Sequence, residues 1–333
     1  MLRPPFPRVL DSSLIAAFRS CPYKARLDFF EHWKPKTQSV HLVAGAAYAK
    51  GLEIARTAYY LGEYNWPHVE RLDDGTTHVT WEHEMREPGN SADSIACGLR
   101  ALLASYGDFQ APADSAKSIE RTAGAFEYYF TQYPLATDKA VPITLPGGRR
   151  GIEFSFAEPI DATHPETGDP LLYVGRMDMI AEFAGAIFGE DDKTTSQLGA
   201  SWPKQWDLRS QFTGYCWGAG RANLPLAGFL VRGVSILKTK YDTLQAITYR
   251  PQWMIEQWYD QLLRDVTKMK AMWESGVWDM NLDHACAEYG GCSYKQICQT
   301  EPSQRISWLQ TSFEQRRWDP VTRTETPLLA IEA

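Results

Sequence analysis

No apolar run in these 333 residues approaches the roughly 20 needed to cross a bilayer, which sets membrane-spanning functions aside. The opening Met-Leu-Arg-Pro-Pro-Phe-Pro-Arg has neither the apolar segment nor the small-residue cleavage site of a secretory signal. A cytoplasmic protein with no membrane partner is therefore expected. No Gly-x4-Gly-Lys-Ser/Thr run occurs, so a helicase-type motor of its own is not expected. Internal repeats and low-complexity tracts are lacking too. Nor is there an excess of positive charge: the formal net charge is −7, which argues against a surface adhesive to nucleic acid throughout. A local basic strip remains compatible with that value, and Arg149-Arg150 and the stretch from Lys204 to Arg209 are candidates. Cysteines number only six, and in the cytoplasm they serve more often as ligands or inert core residues than in disulfides. What remains is an ordinary globular composition, 44% hydrophobic and 23% charged, long enough for one large domain or a domain with a helical extension.

Against this plain background one spacing stands out. Asp178, in Tyr-Val-Gly-Arg-Met-Asp-Met-Ile (173–180), ends one apolar run, and Asp191 and Lys193, in Gly-Glu-Asp-Asp-Lys-Thr-Thr (189–195), end the next. Ala184-Gly185 between them reads as a hairpin turn. Strand alternation puts Asp191 and Lys193 on one face and Asp192 on the other. Two carboxylates at the ends of paired strands suit a hard divalent cation, Mg²⁺ or Mn²⁺, and an ammonium beside them can orient water and offset phosphate charge. Glu153, on an earlier alternating strand, is a candidate third carboxylate for the metal. Farther on, Gln211 and Tyr215 are four apart, so a helix presents them on one face.

In order and spacing, Gly175-Arg176-Met177-Asp178, Asp191-Asp192-Lys193-Thr194 and Gln211-Phe212-Thr213-Gly214-Tyr215 resemble the motifs of the PD-(D/E)XK nuclease superfamily, and within it the RecB-like exonucleases. The similar segments run from about residue 12 to residue 298. The resemblance implies an α/β fold, a central mixed sheet flanked by helices with a mainly helical N-terminal region. It also implies metal-dependent hydrolysis of DNA from ends or on single strands, with Asp178 and Asp191 as metal ligands and Lys193 positioning the water. Gln211 and Tyr215 would face the DNA or the lysine, and a helicase or recombinase is the implied partner class. The chain departs from the pattern at one place. Many relatives carry Gly-x3-His in an early helix, whereas this chain reads Gly45-Ala-Ala-Tyr-Ala49, with His41 on the wrong side of the glycine. A nuclease-fold subunit that binds DNA or protein without cutting is the alternative.

Cys286, Cys292 and Cys298 stand with five residues between neighbours, and Cys21 lies far away in Arg-Ser-Cys-Pro-Tyr. The set is similar to the iron–sulfur staple of phage and CRISPR-associated RecB-like nucleases, where one N-terminal cysteine and a C-terminal trio hold a [4Fe–4S] cluster. The relatives' commoner trio is Cys-x2-Cys-x5-Cys, and the longer first gap here leaves a structural Zn²⁺ open. Cys97 and Cys216 read as inert buried thiols. Periodicity marks a mainly helical stretch at 1–140 and strands after it. The resemblance implies a nuclease core at 141–280 and a cysteine-rich clasp and tail at 281–333, which with that stretch make one compact unit. In it, Asp11-Ser12-Ser13 caps a first helix that Cys21-Pro22 interrupts, helices follow at 44–61, 91–106 and 117–133, and a long helix opens at Pro251.

Overall fold

The computed structural model describes residues 3–73, 77–287, 291–322 and 324–327. A short strand β1 (Val9–Leu10) leads into α1 (Ser12–Ser20), where the Asp11 side chain accepts the Leu14 N–H as an N-cap. Cys21 is extended and Pro22 opens a second helix, α2 (Pro22–Ala25), which runs into a wide turn at Arg26–Phe30. After β2 (Trp33–Pro35) comes the long α3 (Val40–Leu61), closed by left-handed Gly62. Next stands a hairpin, β3 (Glu63–Arg71) with β4 (Thr77–Met85), then α4 (Ser91–Tyr106) and α5 (Ile119–Gln132). The reading of residues 1–140 as mainly helical misses that hairpin. Pro67 in its first strand argues against a strand from sequence, and the ribbon is held by Tyr64 and Trp66 packing with Ile54, Ala58, Cys97 and Ala101 of α3 and α4.

The remaining strands are β5 (Val141–Pro142), β6 (Ile152–Thr163), β7 (Pro170–Phe183), β8 (Ala186–Thr195), β9 (Gly228–Ile236) and β10 (Tyr241–Tyr249). Between β8 and β9 runs α6 (Ser210–Arg221), and α7 (Gln252–Ser275) follows β10 with Pro251 as its N-cap, one position earlier than expected. Among the described residues the main sheet has seven strands in the path β1-β7-β8-β9-β10, with β5 and β6 also on β7. It is mixed: β7 pairs antiparallel with β6 and β8, while β8 pairs parallel with β9. The fold is therefore the α/β class expected. Ala184 and Gly185 turn the β7–β8 hairpin with φ of 51° and 80°, the left-handed pair of a two-residue hairpin turn.

Helices cover both faces of this sheet. Phe156, Tyr173, Phe229 and Val231 meet α1, α6 and α7 on one side. Val234 and Ile236 meet α3, α4 and α5 on the other. Every residue of β9 is buried, as a strand covered twice must be. The C-terminal stretch adds α8 (His284–Ala287), α9 (Lys295–Gln299), α10 (Arg305–Ser312), β11 (Phe313–Asp319) and β12 (Thr324–Pro327). β11 pairs with β2, so residues 313–315 lie against 33–35. Among the described residues no helix is long and apolar enough to cross a membrane.

The packing of α3 on α4 depends on a glycine contact. A Cβ at Gly98 would stand 2.5 Å from the Gly51 carbonyl oxygen and 2.7 Å from Ala55 Cβ. Gly98→Ala must push these helices apart and should cost about 1–3 kcal/mol, as overpacking does. Urea denaturation measures it, and an unchanged midpoint would show that the two helices have room to spare.

Candidate active site

The β7–β8 ladder runs from Phe183↔Ala186 to Met179↔Glu190 and stops there. β8 continues beside β9 as far as Thr195↔Ser235. β1 takes up β7 farther back, at Leu172 and Tyr173. The strands part at Asp178, whose Oδ2 accepts the Asp192 backbone N–H at 2.9 Å. A carboxylate thus replaces a ladder carbonyl at the fork and satisfies a buried donor.

Alternation along β8 then sorts its charges. Asp191 and Lys193 share one side, with Lys193 Nζ 2.5 Å from Asp191 Oδ2. Glu190 and Asp192 point the other way, into a buried network. Arg56 of α3 donates to Asp192 Oδ2 at 2.7 Å, to Glu190 Oε1 at 2.6 Å and to the Tyr129 hydroxyl at 2.7 Å. Arg232 of β9 donates to both Asp138 oxygens, at 2.6 and 2.7 Å. Breaking one partner out of such a set leaves a buried charge uncompensated. Sequence reading found the Asp-x-Lys spacing but not what occupies the x position. The signal was available only as a second acidic pair, Glu190 and Asp192, on the opposite alternation.

More carboxylates gather on the Asp178 side. Glu153 sits at φ 53°, a left-handed conformation uncommon for a non-glycine residue. Its carboxylate accepts from Arg176 Nε, and Arg176 Nη2 lies 3.4 Å from Glu53 Oε2. Glu53 was missed from sequence, although Gly45, Ala49 and Glu53 recur at four-residue spacing along one face of α3. A Cβ at Gly45 would lie 3.7 Å from Thr194 Oγ1, so this face of α3 covers the end of β8. Ala49 adds only a methyl to this face, and one turn later Glu53 brings a carboxylate to Arg176. Gly175 is required by close approach: a Cβ there would stand 2.6 Å from the rings of Phe156 and Tyr215.

Burial, then the charges of Asp191 and Asp192, push the Asp178 carboxyl up to about 7. Burial, then Asp178 and Glu53, push Glu153 up to about 8. Asp191 is also raised by burial, against the pull of Lys193. Burial would lower Lys193, but Asp191 and Asp178 outweigh it and hold the ammonium above the ordinary lysine range, a fixed positive charge. The donor set is all oxygen, crowded and short of positive charge, which suits a hard divalent cation. Among the described residues no three Cys, His, Asp or Glu side chains are already grouped to hold an ion, and Arg176 and Lys193 stand as counter-charges.

On α6, Gln211 Nε2 donates to the Tyr215 hydroxyl at 3.0 Å. Burial raises the Tyr215 phenol, and the charges of Asp191 and Lys193 both act on it. Tyr215 therefore borders the site, and Gln211 meets it through the Tyr215 hydroxyl. Of the expected basic strip, Arg209 acts on Asp191, whereas Arg150 is tied to Pro142 O and Thr144 Oγ1 in a local turn.

Elsewhere, Cys21, Cys286, Cys292 and Cys298 line one small pocket with Tyr23 and Tyr294. Burial, then the nearby Cys21, Cys292 and Cys286, raise the Cys298 thiol, a crowding of sulfur that a thiophilic centre would relieve. The four line one pocket, but among the described residues no three of them are grouped to hold a metal ion. Cys97 and Cys216 are buried away from it, and burial pushes Cys216 up to about 12.

The raised carboxyls set a pH dependence. A group whose folded pKa exceeds its ordinary value contributes stability that is complete below the ordinary value and is lost as pH rises through the folded one. With Asp178 and Glu153 raised to about 7 and about 8, the melting temperature of chelator-treated protein should fall between pH 5 and pH 8. The double variant Asp178→Asn, Glu153→Gln should flatten that fall. Mn²⁺ should raise the melting temperature more at pH 8 than at pH 5, since the cation competes with these protons. Equal slopes in parent and double variant would refute the crowding.

Comparison with curated proteins gives no match. Among solved structures, one from Eubacterium rectale, described provisionally as an exonuclease, is 11% identical with a TM-score of 0.46, over 85% of this chain and 88% of that one. At that level the likeness says nothing about activity. The family model of the PD-(D/E)XK nuclease superfamily, by contrast, matches residues 12–299, a span that holds the fork, the carboxylates and the cysteines. The chain belongs to the PD-(D/E)XK nuclease superfamily.

Proposed function

We propose that this protein is a Mg²⁺- or Mn²⁺-dependent deoxyribonuclease that acts as an exonuclease on DNA ends or single strands. The observation that carries the reading is the fork itself. There Asp178, Asp191 and Lys193 converge, with Glu153 beside Asp178. Asp178, Asp191 and Glu153 would hold the cation, which when bound supplies Lewis-acid stabilisation of phosphate charge and a more acidic water. Lys193 is held protonated by its two carboxylate neighbours, so its part is to orient the attacking water and offset charge at the phosphate. Tyr215, with Gln211 on its hydroxyl, walls the site on the α6 side. The acidic interior repels phosphate without a cation, so turnover should depend on added metal. A cytoplasmic setting and a helicase or recombinase partner accompany this reading.

Cleavage of labelled single- and double-stranded DNA with Mn²⁺ or with chelator tests it. Asp178→Ala, Asp191→Ala and Lys193→Ala should each lose on the order of 10²-fold or more in rate while remaining folded, the scale of removing a charge-stabilising group. Gln211→Ala and Tyr215→Phe should lose less. Three variants as fast as the parent would refute the assignment, and a parent that binds DNA but never cuts it would support the binding-only alternative.

The cysteine pocket is proposed to hold a [4Fe–4S] cluster, with structural Zn²⁺ as the alternative. It would tie α2 to the C-terminal helices across the whole nuclease core. Anaerobically purified protein should be brown and contain iron, and serine at Cys21, Cys286, Cys292 or Cys298 should lower both metal content and melting temperature. Serine at Cys97 or Cys216 should leave the metal content alone. Colourless protein with one zinc per chain would select the alternative, and protein free of both metals would end the proposal.

A further inference from the structure

The β3–β4 ribbon carries two tryptophans on opposite alternations, and the fold uses only one of them. Trp66 stacks on Tyr64, donates its indole N–H to Glu84 Oε2 at 3.1 Å and packs against α3 and α4. Trp81 stands across the ribbon from Pro67, is 43% exposed and joins no hydrophobic cluster among the described residues. Against its ring lies Lys50 of α3, with Nζ 5.5 Å from the ring centre. From that ammonium a chain of charges leads to the site. Lys50 Nζ meets Glu53 Oε1 at 2.9 Å, Glu53 Oε2 lies 3.4 Å from Arg176 Nη2, and Arg176 Nε donates to Glu153 beside Asp178. These side chains stay open to solvent along the way, 34% for Lys50, 22% for Glu53, 29% for Arg176 and 16% for Glu153. A strand of nucleic acid can follow them from the ribbon to the carboxylates without crossing a buried layer.

A single exposed apolar side chain is ordinary on a protein surface. Trp81 is set apart by its place, at the outer end of this accessible chain and with a cation at its ring. An aromatic face takes a base of any identity, and a lysine ammonium meets phosphate as a point charge. We propose that Trp81 and Lys50 form a subsite for one nucleotide of the substrate strand outside the bond that is cut, the indole stacking on its base and the ammonium meeting its phosphate. The inference rests on the nuclease reading and deepens it. Bases inside a duplex are already stacked on their neighbours, whereas unpaired bases can be splayed onto an aromatic side chain. The subsite therefore selects an unpaired strand and reads no sequence.

The test scans an abasic nucleotide along a fluorescent single-stranded oligonucleotide. Kd in chelator and KM with Mn²⁺ are measured for the parent, Trp81→Ala, Trp81→Phe and Lys50→Met. Trp81→Ala should melt with the parent, yet be on the order of 10-fold weaker in Kd and higher in KM, and Trp81→Phe should retain most of the affinity. One abasic position should weaken the parent and leave Trp81→Ala unchanged, a signature that a packing role would not give. Lys50→Met should show a salt slope shallower by about 0.7. A blunt duplex should bind the parent and Trp81→Ala alike. If the parent binds and cuts DNA while Trp81→Ala matches it in Kd, in KM and at every abasic position, the subsite is refuted and the nuclease reading stands. A parent that neither binds nor cuts would overturn both.

Discussion

The site depends on the single hydrogen bond from the Asp192 N–H to the Asp178 carboxylate. Two strands that had paired through Met179 and Glu190 separate there, and separation in a buried sheet leaves ladder groups that need new partners. Asp178 supplies one from its side chain. That choice places a carboxylate in the gap between strands, where burial and the neighbouring acids push its pKa up to about 7. The bond that completes the backbone also eases the carboxylate's charge, while burial and the neighbouring acids work against it.

What keeps the fork open lies behind it. Arg56 and Arg232 bind Glu190, Asp192 and Asp138 on the far side of β8, among Tyr48, Tyr129 and the helices α3 and α5. A buried network of this kind is weak evidence for net stability but strong evidence for a single geometry, because each member is penalised when its partner moves. Alternation then does the rest. With Glu190 and Asp192 locked on one side, Asp191 and Lys193 have to face the other, toward Asp178 and Tyr215. Strain is stored at Glu153, held left-handed beside Arg176, and the sheet that surrounds it is what maintains that conformation.

Several of these features could be read from the chain alone. The Asp-x12-Asp-x-Lys spacing, the left-handed turn at Ala184-Gly185, the Asp11 cap and the break at Cys21-Pro22 are local, and local chemistry dictates them. The hairpin at residues 63–85 escaped because its strands have no sheet to join, and tertiary contacts of Tyr64 and Trp66 hold them. β11 and β12 escaped for a similar reason, since β11 is stabilised by pairing with residues 33–35, nearly 300 positions earlier.

Sequence by itself determined the residue types that do chemistry and the alternation that sorts them, because a strand's period of two needs no knowledge of the fold. It also marked three cysteines as a set through their density near the C-terminus, and the family resemblance added Cys21. Only the tertiary structure decided who stands opposite them. Glu53 arrives beside Arg176, Arg56 beneath Asp192, Lys117 upon Thr194, and Cys21 within the pocket of the C-terminal trio. Each of these partners lies tens to hundreds of residues away in the chain. Their meeting follows from how α3 and α5 pack on the sheet and how the C-terminal helices pack around Tyr23, Leu27 and Trp33, a matter of buried surface and shape that no short spacing encodes.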